Sequence, residues 1–143
     1  MSNAGVRSCR VIIHNKIRYF LTHKELSFIS HLLYLKKLRE CGCRTAYSQE
    51  FNFQSFGFNK STFYRIVKRL EILGLLERVT VNKFTDFVLI EKNYNRLLEV
   101  VNSTDNIYAL IFFSEELNKS NRNIDSISDI EILQLKSTEK VFI

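Results

Sequence analysis

Proline is absent from the 143-residue chain, and no Pro-, Gly- or Ser-rich stretch interrupts it, so nothing marks a linker between two domains. No internal repeat is present. No apolar run approaches the ~18 residues of a membrane span, and the N-terminus lacks the basic start and continuous apolar stretch of a secretory signal. The expected location is therefore cytoplasmic, with no membrane partner. Three cysteines, an odd number, cannot all pair within the chain, which fits a reducing compartment. Phosphate-binding glycine loops, paired-carboxylate motifs and nucleophile elbows are missing, so no enzyme, no catalytic residue, no cofactor and no small-molecule substrate is expected. The histidines are His14, His23 and His31, and none sits in a metal or nucleophile motif. Cys41-Gly42-Cys43 is too closely spaced for a C-x₂-C zinc knuckle and has no second ligand pair nearby, so no metal site is assigned. What is there suffices for one compact domain: 45% of the residues are hydrophobic and 25% charged. At this length folding buries roughly two-thirds of the unfolded surface, enough for a core without disulfide or metal staples.

Charge is unevenly placed. The net is +6 with a pI near 9.3. Residues 1–47 carry a net of +7, residues 48–92 a net of +2 and residues 93–143 a net of −3. An excess of positive charge in the N-terminal two-thirds suits a polyanionic partner such as nucleic acid.

Patterning predicts an α+β chain, mainly α. Arg10 to Leu21 is rich in β-branched and aromatic residues and reads as an extended or β segment, assigned to residues 1–21. Thr22-His23-Lys24-Glu25 has capping-box spacing and opens a helix over about 23–41, with Leu26, Ile29, Leu32 and Leu33 at helical intervals and Gly42 as the stop. Ser48 begins a short helix through Ser55, and Phe56-Gly57-Phe58 forms a turn. The clearest helix starts at Asn59 or Lys60. Its stripe is Phe63, Ile66, Val67, Leu70 and Leu73, and Gly74 ends it in the left-handed conformation. Leu75 to Asn82 and Phe87 to Lys92 then read as hairpin strands joined by Lys83-Phe84-Thr85-Asp86. Helices are predicted over Asn93 to Val101 and Asp105 to Lys119, and no element is assigned after Ser120.

Helix, short helix, glycine turn, amphipathic helix and hairpin is the order of a winged helix-turn-helix module. The stretch from Ser55 to Arg78 resembles the second helix, turn, recognition helix and first wing strand of winged-helix DNA-binding proteins. The features that carry the resemblance are Gly57-Phe58, Ser61-Thr62-Phe63, the basic pair Lys68-Arg69 before Leu70, and Gly74-Leu75-Leu76. It is most similar to small bacterial, phage, plasmid and archaeal-virus regulators and to replication initiators. The match covers residues 22–92 and departs from the family at Phe53, where a small residue is usual. The resemblance implies a three-helix core with a β-hairpin wing over 22–92, and the patterning adds a C-terminal helical extension over 93–143.

The residues support the same function without the family. With Phe63 at 0° and ~100° per residue, the apolar stripe lies within about 80° of zero, and Ser61, Arg65, Lys68 and Ile72 lie opposite. Arg65 can read guanine N7 and O6 bidentately in the major groove, and Lys68 can reach a base or a phosphate. Thr62, Tyr64 and Arg69 flank that face at positions suited to phosphates, and Lys60 stands at the helix N-terminus with its backbone donors. A basic face is ordinarily just a solvated surface; the helix-turn context and the trailing hairpin tip the reading toward DNA. In the hairpin, Arg78, Asn82 and Lys83 are candidates for the minor groove or the backbone. Arg7, Arg10, Lys16 and Arg18 add a basic edge.

The helix from Asp105 carries more apolar residues than one stripe, with Tyr108, Phe112 and Phe113 beside Ile107, Leu110 and Ile111. It must be buried on its own domain or against a second subunit, and a homodimer reading two half-sites is the expectation. The acidic balance of residues 93–143 places that region away from phosphates. The leading expectation is a double-stranded DNA-binding transcription regulator. A replication initiator, or its DNA-binding fragment, and a protein-interaction module without DNA binding are the alternatives.

Overall fold

The computed structural model describes residues 15–40, 59–81 and 84–138. A short 3₁₀ helix (Asn15–Tyr19) leads into α1 (His23–Glu40), followed by α2 (Lys60–Leu73) and strands β1 (Leu76–Val81) and β2 (Phe84–Leu89). Then come α3 (Glu91–Asn102), α4 (Ile107–Lys119), a second 3₁₀ turn (Ile124–Ser126) and α5 (Asp129–Ser137). The described part is mainly helical, with one two-stranded antiparallel sheet. The short helix expected from Ser48, the turn at Gly57, Phe53 and both Cys41 and Cys43 lie outside the described residues.

Local chemistry explains the boundaries. The Thr22 N–H donates to Glu25 Oε1 at 2.9 Å and the Glu25 N–H to Thr22 Oγ1 at 3.2 Å, the two halves of a capping box. At α2, the Asn59 side chain accepts from the Thr62 N–H at 2.7 Å. Gly74 closes it at φ 84°, where its N–H reaches the Glu71 carbonyl and the Leu75 N–H the Leu70 carbonyl, each at 3.0 Å. All five predicted stripe residues, Phe63, Ile66, Val67, Leu70 and Leu73, are buried.

Three expectations change. From Asn15 onward the N-terminal segment is helical rather than extended: Ile17, Phe20 and Leu21 are buried, and the Ile17 carbonyl accepts from both Phe20 and Leu21. Their i, i+3, i+4 spacing presents one helical face, which outweighs β-branched composition; residues 1–14 lie outside the described part. The second strand starts at Phe84 rather than Phe87, because Val81 pairs with Phe84 and Leu76 with Leu89. Phe84 and Thr85 therefore belong to the ladder. Beyond Ser120, α5 forms, opened by a capping box in which the Ser128 side chain and Glu131 satisfy each other's backbone N–H.

One continuous core joins these elements. Phe28 of α1, Phe63 of α2 and Phe87 of β2 meet with ring centroids 5.5–6.0 Å apart, in tilted and edge-on arrangements. Such pairs add about 0.5–1.5 kcal/mol each beyond burial. Leu97, Val100 and Val101 of α3, Leu110 and Leu117 of α4, and Ile132 and Leu135 of α5 extend the same cluster. Its N-terminal edge is fastened by Lys16, whose Nζ donates to the Thr104 carbonyl at 3.0 Å and pairs with Asp105. The predicted surplus of apolar residues on α4 divides in two. Leu110, Ser114 and Leu117 face inward, whereas Tyr108 stays 78% and Phe112 65% exposed, beside exposed Ile107 and Ile111. No helix among the described residues is long and apolar enough to cross a membrane.

Candidate functional site

Because α2 buries one side against α1 and β2, its other side is presented outward. Lys60, Ser61, Tyr64, Arg65, Lys68 and Ile72 are all exposed there, and Thr62 is half-buried beside the Asn59 cap. Arg65 and Lys68 make no ion pair among the described residues. They are one helical turn apart, so their charges share one face.

Two of the cations singled out in the sequence are tied to carboxylates instead. Arg69 Nε lies 3.2 Å from Glu25 Oε2, and the Glu25 side chain is almost fully buried. The pair joins α2 to the N-terminal cap of α1, where the same carboxylate also accepts from the Thr22 N–H. Arg78 donates from Nε and Nη2 to Glu71 Oε1, at 3.0 and 2.8 Å. This contact braces β1 against the last turn of α2. Lys16 is likewise engaged with Asp105, while Arg18 lies over the Tyr19 ring and donates to its hydroxyl at 2.9 Å. Asn82, Lys83, Arg7, Arg10 and His14 lie outside the described residues. His31 is pushed below its ordinary pKa by burial. Among the described residues no group of three or more His, Cys, Asp or Glu could hold a metal ion.

The C-terminal third, acidic as a whole, also reaches this face. Leu117 and Asn118 at the end of α4, with Asn121 and Arg122 beyond it, stand across from Arg65, Lys68 and Ile72. Between them is an open cleft of about 190 Å³. Net charge over fifty residues does not describe the few that surround one contact. Arg122 is held by the Glu131 carboxylate, with both N–O distances 2.9 Å, and by the Ser126 hydroxyl and carbonyl. The Arg122 hydrogen bonds hold Glu131 well below the usual carboxylate range, at about 2, against the opposing effect of burial.

The end of α2 is fixed to this region through Gly74. Its carbonyl accepts from Asn93 Nδ2 at 2.7 Å in a buried contact. A side chain at position 74 would place its Cβ 2.3 Å from Asn123 Oδ1. The Ser-x-x-Glu signal of α5 was available in the sequence. The meeting of α2 with residues 117–122 was not, since it depends on how α3 and α4 pack. No protein-family profile, no curated protein and no solved structure matches the chain.

Proposed function

We propose that the protein binds double-stranded DNA as a winged helix-turn-helix transcription regulator, with α2 in the major groove and the β1–β2 hairpin as the wing. The observation that carries the reading is the pair Arg65 and Lys68, exposed, one turn apart and without ion pairs among the described residues. Arg65 serves base recognition, and Lys68 a base or the phosphate backbone. Ser61 and Tyr64 flank them, Thr62 and Lys60 lie at the N-terminal end, and that terminus offers its backbone donors and dipole to a phosphate. Arg69 and Arg78 are assigned here to holding α2 in place through Glu25 and Glu71. A single unit covers one half-site, and we assign dimerisation to the exposed apolar side of α4 around Tyr108 and Phe112.

Fluorescence-anisotropy titration of a random-sequence duplex pool at two salt concentrations tests the reading. With six to eight phosphates contacted, log K falls against log salt with a slope of about −5 to −7. The double variant Arg65→Ala/Lys68→Ala should bind more weakly, with the slope shallower by roughly one unit for each lost phosphate contact. Binding by neither protein at low salt would sink the proposal, and so would binding that the double substitution leaves unchanged.

A further inference from the structure

The cleft between α2 and the end of α4 has a composition that DNA contact alone does not account for. Two of its cations arrive already neutralised, Arg69 by Glu25 and Arg122 by Glu131. The other two, Arg65 and Lys68, have no carboxylate within ion-pair distance among the described residues, and no acidic side chain lines the cleft. About two positive charges are thus left for an occupant. The floor is apolar, made by Ile72, Leu73 and Leu117. Water covers such a floor poorly, and a bare inorganic ion would leave it wet. Asn118 and Asn121 supply amide donors and acceptors along the opposite rim. Part of the rim is also held in place by hydrogen bonds. Arg122 is fixed by its four hydrogen bonds, Arg69 by Glu25, and Asn121 sits in the left-handed region at φ 49°, which asparagine tolerates better than most residues. A pre-formed rim spares an occupant the cost of ordering it.

We propose that this cleft binds a small organic anion consisting of a phosphate or carboxylate head on an apolar body. Its volume, about 190 Å³, lies below the range of roughly 300–1,000 Å³ typical of sites for drug-sized ligands. That size suits a single ring or a short chain bearing one anionic group. The head takes Arg65 and Lys68, and the body lies along Ile72 over Leu73 and Leu117. Binding of the anion does not depend on the DNA reading. Its consequence does: the ligand engages the two cations through which α2 would hold DNA, so anion and duplex exclude each other, and the molecule is an effector that releases DNA.

The test is a ¹H–¹⁵N NMR titration of the full chain with phenyl phosphate, inorganic phosphate and sodium chloride at matched ionic strength. Saturable shifts at residues lining the cleft are expected with phenyl phosphate and none with chloride. Lys68→Ala, at an exposed site, should weaken phenyl phosphate roughly tenfold by removing a charge-assisted contact. Ile72→Ala should weaken phenyl phosphate while leaving inorganic phosphate unchanged. Shifts that do not saturate overturn the site, as does phenyl phosphate binding no better than inorganic phosphate or unaffected by Lys68→Ala. In parallel, phenyl phosphate is titrated into the protein–duplex complex and anisotropy is followed. Duplex binding without any phenyl phosphate response refutes the cleft and keeps the DNA reading. Saturable phenyl phosphate binding by a protein that binds no duplex upholds the cleft and refutes the DNA reading.

Discussion

Replacing Gly74 by alanine tests how the exposed face of α2 is fixed to the rest of the molecule. Two separate costs follow from its position. Holding a residue with a Cβ at φ 84° costs about 1–2 kcal/mol, because the side chain crowds the following carbonyl. The new Cβ would also lie 2.3–2.6 Å from the Asn123 carboxamide, so that side chain must swing away. When it moves, the Asp125 N–H, now 2.9 Å from Asn123 Oδ1, loses its acceptor, a capping loss of about 1 kcal/mol. Together these give about 2–3 kcal/mol. For a chain of this length each kcal/mol lowers Tm by about 2–4 °C, so Gly74→Ala should melt about 4–12 °C early. Urea unfolding followed by far-UV circular dichroism measures the free energy directly. A double-mutant cycle with Asn123→Ala separates the terms. In that background the overlap is gone, Gly74→Ala should cost only the backbone term, and a coupling of about 1 kcal/mol should remain. A destabilisation under about 0.5 kcal/mol, within the range of neutral surface changes, would refute the reasoning.

Arg69→Ala should lower stability by about 2 kcal/mol in the same urea assay. It leaves the nearly buried Glu25 carboxylate without its cation, and the loss is moderated because the Thr22 N–H still donates to it. Lys68→Ala, which is exposed and makes no ion pair among the described residues, should leave the unfolding midpoint unchanged, so the two neighbours separate support from binding. Acid titration should expose the Arg122–Glu131 pair. With Glu131 depressed to about 2 in the folded state, its contribution is complete above the unfolded value of about 4.5 and is lost as pH falls toward 2. Unfolding followed between those limits should show a steeper decline for wild type than for Glu131→Gln, and equal slopes would contradict the assignment. Phe112→Glu changes a side chain that is 65% exposed, so the fold should persist. On the proposed dimer, sedimentation velocity should report a dimer for wild type and a monomer for the variant; a monomeric wild type, or a variant that still dimerises, would remove α4 as the interface.

Where the sequence carried a local rule, it was readable. The stripe from Phe63 to Leu73, capped by Asn59 and closed by Gly74, shows periodicity, start and stop together, and the Thr22–Glu25 box marks the start of α1. Errors came where two periods fit equally well. Ile17, Phe20 and Leu21 satisfy a helical face and a β composition at once. In α5 the buried Ile132 and Leu135 alternate with the exposed Ile130 and Leu133, so no clean stripe announces it despite the Ser128 cap. The outward direction of Arg65 and Lys68 follows from helical geometry alone. The attachment of Arg69 to Glu25 does not, because the partners are far apart in the chain and meet only through the packing of α1 against α2. Residues 117–122 were missed for the same reason. Their place beside α2 is set by the shared core of α3 and α4, not by anything within the segment.

The order in which the chain is made gives the cleft a history. Residues emerge from the ribosome N-terminal first, at about 5–20 per second, so α2 with Arg65 and Lys68 exists well before either the wall opposite or the helix that steadies it. Until Glu131 has been added, Arg122 has no carboxylate to hold it; until Asn123 has been added, its carboxamide does not fill the space beside the Gly74 Cα. A nascent chain therefore displays its cations before the wall opposite is made, and only translation into α5 adds the carboxylate that braces that wall. Products that stop short of that helix carry every lining residue but leave Arg122 without the Glu131 carboxylate that holds it.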